Sequence, residues 1–236
     1  MSASYGHAST GDPVVWFDFG GVLSAPIEEL FLGYERKTGI SPAALKQAMA
    51  DAAQERFGLP ALAPIELGLL TEAQWGADLR RHLGLRDPGL DLSRAELETF
   101  GEQWFAGEEP QAGVRELMAE LKDDGVRVAV LTNNVVEWAP HWRAVAQIDD
   151  LAELVVDSSE VGLRKPDPSI FARAAQLAGA PPHEHILIDD LTENGDGARL
   201  AGWRAITFTS AEQTREALTA LLAEPAAAAC PFSAAH

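Results

Sequence analysis

Cysteine occurs once in the 236 residues, as Cys230. A lone thiol in an Ala-rich tail has no partner within the chain, so the sequence carries no disulfide framework and no sign of an oxidising compartment. Positive charge is scarce too: 18 Lys and Arg stand against 36 Asp and Glu, a net charge of −18. So acidic a molecule repels nucleic acid and anionic membrane surfaces, and an anionic substrate has to be drawn by a local site. No apolar run approaches the roughly 20 residues of a membrane span. The opening MSASYGHASTGD has neither a basic region nor an apolar one of the kind that directs secretion. The sequence is thus expected to be cytoplasmic, with no nucleic-acid or membrane partner and with its oligomeric state open. Fixed-period repeats and coiled-coil heptads are missing as well, which excludes a solenoid or a filament.

What is present is enough apolar residue, 47%, to bury a full core. Val14 to Phe17 is a short apolar run that ends at Asp18 and meets Gly20-Gly21, the pattern of a buried strand entering a tight turn. From about Ile27 to Ala106 the patterns are helical, with Ile27, Leu30, Phe31 and Tyr34 on one face and a further helix starting at Thr71. Helix and strand then alternate: a helix over Val114 to Leu121 stopped at Gly125, then strands at Val126–Leu131, Leu154–Val156, Ile186–Ile188 and Ala205–Phe208. Helices are expected between them, through Trp142 and Val145, over Pro168–Leu177 and around Ala198–Leu200, with a last one from Ala211 to about Leu222. Such alternation predicts an α/β fold with a Rossmann-like, doubly wound parallel sheet. The expected divisions are a flexible N-terminus over 1–12, a core of 13–26 and 107–222, a helical insertion of 27–106, and a flexible tail over 223–236.

Ligands of an open parallel sheet bind beyond the carboxyl ends of its strands. The residues there are Asp18, then Thr132-Asn133-Asn134, then Lys165, then Asp189-Asp190. A carboxylate nucleophile, a hydroxyl with backbone donors, an ammonium and an acidic pair are the parts of a phosphoryl-transfer site. A phosphate monoester and a carboxylate repel each other, so Mg²⁺ has to stand between them and a lysine has to neutralise the remaining charge. Asp18 and Asp190 suit the metal, with the Gly20 carbonyl completing an oxygen shell. Thr132, the N–H of Asn133 and the turn at Gly21 would hold phosphate oxygens. Singly, each of these residues is explained as a helix cap or a turn; their complementary charges at one sheet edge are not. His183 and His185 read as a solvated loop after Pro181-Pro182, and Trp138 and Trp142, at i and i+4 on one helix, read as core.

The segments FDFGGVL, VAVLTNN, SSEVGLRKPDPSIF and ILIDDLTENGDGARLAGWRAI resemble, in this order, the four motifs of the haloacid dehalogenase superfamily. The likeness covers residues 14–26 and 107–210 and implies an aspartyl-phosphate mechanism, with 27–106 placed as that superfamily's α-helical cap. Asp18 resembles the nucleophile, Thr132 the phosphate-binding hydroxyl, Lys165 the neutralising lysine, and Asp190, supported by Asp189, the metal carboxylates. The implied function is Mg²⁺-dependent hydrolysis of a small phosphorylated metabolite. One departure stands out: superfamily phosphatases carry a second Asp, a general acid, where this chain has Gly20. The FDFGGVL form is similar to sugar-1-phosphate phosphatases, and the motif set to the phosphatase domain of soluble epoxide hydrolases. Glu66 and Glu193 are candidates for the missing acid. The rivals are a phosphometabolite-binding module without turnover, a phosphonatase using Lys37 or Lys46, and a dehalogenase, against which the acidic pair argues.

Overall fold

The computed structural model describes residues 12–223. The two expected flexible ends fall outside the described residues, apart from Asp12 and Ala223, as does Cys230. Strands β1 (Val14–Phe17), β2 (Arg127–Thr132), β3 (Leu154–Asp157), β4 (His185–Asp189) and β5 (Arg204–Thr207) form one parallel sheet in the order β3-β2-β1-β4-β5. The chain winds outward from β1 to β3 on one side, then crosses to β4 and β5 on the other. The order reverses beside β1, which makes the carboxyl end of β1 the crevice of the fold.

All four residues of β1 are fully buried, as expected of a parallel strand covered on both faces. Its alternation divides the core. Val15 and Phe17 pack into one cluster with Val128, Val130, Ile186 and Ile188; Val14 and Trp16 pack into another with Ala129, Leu131 and Leu187.

Between β1 and β2 the chain forms helices α1 (Ile27–Thr38), α2 (Pro42–Phe57), α3 (Ala63–Glu66), α4 (Glu72–Arg86) and α5 (Phe100–Phe105). Their ends follow from local chemistry. Gly39 and Gly58 close α1 and α2 in the left-handed conformation, Ser41 caps α2 ahead of Pro42, and Thr71 forms a reciprocal capping box with Gln74 at α4. Aromatic rings hold the insertion together: Phe100 stacks on Trp104 and on Trp138, with centroids 5.1 and 5.6 Å apart, and Trp75 meets Phe100 edge-on at 5.1 Å.

The remaining helices flank the sheet: α6 (Val114–Asp123), α7 (Ala139–Ala146), α8 (Ser158–Val161), α9 (Pro168–Ala178), α10 (Thr192–Leu200) and α11 (Ala211–Ala223). Helix α10 starts six residues before the expected Ala198, directly after Asp190. Gly195 and Gly197 weaken the helical signal, yet Gly197 packs against the Pro166 carbonyl, where a Cβ would not fit.

Two expectations are corrected. His185 is not in a solvated loop but is fully buried on β4. Trp16 Nε1 donates to its Nδ1 at 2.9 Å, its Nε2 lies 3.1 Å from the Ala180 carbonyl, and Trp203 stacks on the ring at 4.5 Å. The donor comes from 169 residues away, so local sequence gave no hint of it. Burial holds this imidazole below the usual histidine range. Trp138 and Trp142 do not share one helix: Trp138 ends a 3₁₀ turn over Val136–Trp138, and α7 starts anew with Pro140 in its first turn.

Gly101 of α5 lies so close to the Trp138 indole that a Cβ would overlap the ring. Gly101→Ala is expected to destabilise the protein by about 1–3 kcal/mol despite the better helix propensity of Ala, read as a lower urea midpoint with an unchanged m-value.

Candidate active site

Phe17 pairs with Ile188, so Asp18 and Asp189 leave adjacent strands at the same level. Between them stands Lys165, delivered by the loop from α8 to α9, with Nζ 2.8 Å from Asp18 Oδ1 and 2.6 Å from Asp189 Oδ2. Lys165 is 1% exposed. The loop is fastened by Asn133, whose Oδ1 accepts from Lys165 N at 2.8 Å while its Nδ2 donates to Lys165 O at 3.0 Å. Asp189 is fastened in turn: Asn194 Nδ2 donates to it at 2.9 Å and Leu191 N at 3.0 Å. Asp18 Oδ1 also accepts from Phe19 N at 2.7 Å.

Burial pushes the Asp18 carboxyl up to about 8, a rise that Lys165 opposes and Asp189 adds to. Lys165 lies above its ordinary range, because the two carboxylates outweigh the burial that opposes its charge. Both groups are raised, and the geometry is common to both: a single buried ammonium faces two buried carboxylates. Burial, and then Asp189, raise Asp190 to about 6.

The carboxylates of Asp18, Asp189 and Asp190 each bring an oxygen to within 4.8 Å of the others. A hard-oxygen donor set with more negative charge than Lys165 balances fits Mg²⁺. Gly21, with φ +71°, permits this cluster: a Cβ there would run into the Asp190 carboxylate.

A cavity of about 380 Å³ opens over this edge. Asp18, Gly20, Asn133, Lys165 and Asp190 line it. Thr132, Gly21 and Asp189 are buried and do not appear in its wall; the Thr132 hydroxyl lies 3.5 Å from Asn134 Nδ2. The insertion supplies the roof. Of the candidate acids, Glu66 lines the cavity, whereas Glu193 is exposed and does not. Lys37 donates to the Gln103 and Trp104 carbonyls at 3.1 Å and pairs with Glu108, and Lys46 pairs with Glu28; neither lines the cavity.

Several residues of the site were not singled out from the sequence. Asn194 lies inside the fourth motif, five residues after Asp189, where only the fold of α10 turns it inward. Arg164, the residue before Lys165, pairs with Glu66 Oε2 at 2.8 Å, and Ser158 Oγ donates to the Glu66 carbonyl at 2.7 Å. Their signal in sequence was adjacency to a motif; their partner on α3 lies more than 90 residues away.

The fold is thus a doubly wound α/β core that gathers an aspartate, a buried lysine and an acidic pair at its switch point. The chain belongs to the haloacid dehalogenase-like hydrolases, whose family model matches residues 14–202. Among curated relatives, a Mycobacterium tuberculosis protein named as a phosphatase is 33% identical over 125 residues, 52% of this chain and 57% of that one. A phosphoserine phosphatase of Thermus thermophilus is 37% identical over 90 residues, 38% of this chain and 36% of that one. The chain thus spans between about a third and three fifths of these two relatives. Solved structures share the fold. A haloacid dehalogenase family enzyme of Bacteroides thetaiotaomicron, complexed with magnesium and inorganic phosphate, is 21% identical with a TM-score of 0.59, covering 85% of this chain and 96% of that one. The L-2-haloacid dehalogenase of Xanthobacter autotrophicus is 18% identical with a TM-score of 0.60, covering 91% and 85%.

The carboxylate cluster makes stability depend on the cation. Without one, Asp18 at about 8 and Asp190 at about 6 both lie above their ordinary 3.8. The folded chain therefore holds extra protons, and the stability they contribute is complete at low pH and lost as pH rises through each folded value. Mg²⁺ held by these carboxylates would replace that positive charge. The Tm gap between Mg²⁺-loaded and chelated protein is expected to widen from about pH 5 to about pH 8. A gap that stays flat in thermal unfolding would mean that no cation sits among these carboxylates.

Proposed function

We propose that the protein is a Mg²⁺-dependent phosphomonoesterase acting on a small phosphorylated metabolite through an aspartyl-phosphate on Asp18. The observation that carries this is the contact of Lys165 with Asp18 and Asp189 beneath the cavity, with Asp190 at its edge. An Asp18 oxygen attacks phosphorus, the bond to the leaving oxygen breaks, and water then releases phosphate from the acyl phosphate. Lys165 neutralises charge on the transferring group. Bound by Asp18, Asp190 and the Gly20 carbonyl, with Asp189 supporting, Mg²⁺ would offset the repulsion between carboxylate and phosphate. In this reading Thr132 and the N–H groups of Asn133 and Gly21 hold phosphate oxygens. Residues 27–106 act as the cap of a core made from 13–26 and 107–222, excluding water from the reaction. The names of the curated relatives and the clasp of Glu66 on Arg164 and Ser158 support it.

The phosphonatase rival gains nothing from Lys37 and Lys46, which are engaged away from the cavity. The binding-module rival is separated by turnover. Asp18→Asn is expected to abolish Mg²⁺-dependent phosphate release while leaving the circular dichroism spectrum native, since the amide is nearly isosteric but forms no acyl phosphate. Turnover in the folded variant would end the mechanism.

Gly20 has a consequence of its own. A positioned general acid contributes ~10²–10⁴-fold, so its absence falls on poor leaving groups. A Cβ at Gly20 would meet no atom within 4 Å, and its φ is not left-handed, so a side chain can start there without backbone strain. Gly20→Asp is expected to raise kcat/KM for alkyl phosphates by up to ~10²-fold with little effect on aryl phosphates. A native leaving-group series without slope would instead assign the proton to Glu66, whose carboxyl burial raises despite Arg164.

A further inference from the structure

The two halves of the cavity differ in chemistry. The sheet edge brings Asp18, Asn133, Lys165 and Asp190. The opposite half, from the insertion, is built of Leu30, Phe31, Met49, Leu62, Phe100 and Trp104, and none of these carries a hydroxyl, a carboxamide or a charge. Trp138 adds another ring, its Nε1 already donated to Glu72 at 2.6 Å. Of the polar pair that reaches this half, Glu66 Oε2 is engaged by Arg164 at 2.8 Å.

The rings are anchored. Phe31 meets Trp104 edge-on at 5.0 Å, Phe100 lies between Trp104 and Trp138, and Glu72, buried, holds both Trp138 and the Gly101 N–H at 2.6 Å. Apart from the indole N–H of Trp104, the side chains of this anchored wall offer no donor or acceptor to a polyhydroxylated guest, most of whose hydroxyls would lose water without replacement.

We propose that the substrate is an aryl phosphate, with its ring held against the insertion and its phosphate at Asp18. This deepens, and rests on, the phosphomonoesterase reading. Two independent features converge on it. The wall selects an apolar ring, and Gly20 leaves the departing oxygen without the usual acid, a deficit that a phenol tolerates because it loses its proton near pH 10, as tyrosine does. The step balances without redox chemistry. The Asp18 carboxylate forms its bond to phosphorus, the phosphorus–aryl oxygen bond breaks with its electron pair leaving as phenolate, and the phenolate takes a proton from solvent. Water then attacks phosphorus and frees Asp18 and inorganic phosphate.

The test is kcat/KM for phosphate release from phenyl phosphate, cyclohexyl phosphate, glucose 1-phosphate and acetyl phosphate. Phenyl phosphate is expected to exceed both the cyclohexyl and the glucose ester by at least ~100-fold. Parity with glucose 1-phosphate would overturn the role of the wall, and parity with cyclohexyl phosphate would overturn the role of the leaving group. Release from acetyl phosphate, which needs neither ring nor acid, separates these failures from failure of the phosphatase reading, in which nothing is released from any ester. Met49→Gln, close in shape but polar, is expected to lower the phenyl-to-glucose ratio about tenfold. Leu62→Asn, at a half-buried position, gives the same readout where a buried amide at position 49 prevents folding. An unchanged ratio in the folded variants overturns the proposal.

Discussion

The ammonium of Lys165 is removed from solvent and owes its charge to Asp18 and Asp189. A buried cation without partners is untenable, and a buried pair stripped of one partner loses several kcal/mol, about 3–5. The surrounding structure keeps this arrangement from collapsing: Asn133 clamps the lysine backbone from β2, Asn194 and Leu191 N tie Asp189 to the start of α10, and Gly197 lets α10 close on Pro166. Each of the three central strands contributes one member. The site and the sheet are therefore one mechanical object, and the parallel pairing that sets Asp18 level with Asp189 is also what lets one lysine reach both.

A net charge of −18 makes the local balance at the sheet edge decisive for any anionic ligand. Three carboxylates converge where Lys165 supplies the paired cation, to Asp18 and Asp189, and the shortfall appears as the raised Asp18 and Asp190. A divalent cation held there would offset the excess negative charge. The field that repels anions elsewhere on the surface would then be relieved at this edge.

The insertion is joined to this edge by few but specific links. Glu66 on α3 reaches Arg164 with its carboxylate and Ser158 with its carbonyl, and Glu72 at the start of α4 takes the Trp138 indole. These links set the apolar wall opposite the charged edge at a fixed separation, which is what gives the cavity two chemically distinct ends. Buried acids here orient aromatic rings and loops; they do not meet solvent.

Much of the molecule was legible in sequence because it depends on local chemistry. Apolar runs with turn signals marked all five strands to within a residue or two, caps such as Thr71 and Ser41 follow from short-range hydrogen bonding, and the charged residues after each strand announce the site because a parallel sheet gathers strand ends. The misreadings share a cause. His185 looked solvated among prolines, yet Trp16, remote in sequence, buries it; Trp138 and Trp142 looked like one helix, yet a 3₁₀ turn separates them and only Trp138 lines the cavity. The sequence by itself determined the order of the strands along the chain, the helical nature of the insertion and the residue types at the sheet edge. Tertiary structure alone decided that Asn194 and Arg164 join the site, and that the insertion turns a largely apolar face with Glu66 in it toward the cavity. Those facts depend on which side chains meet across tens of residues, and no local pattern encodes the distance between two elements that touch only when folded.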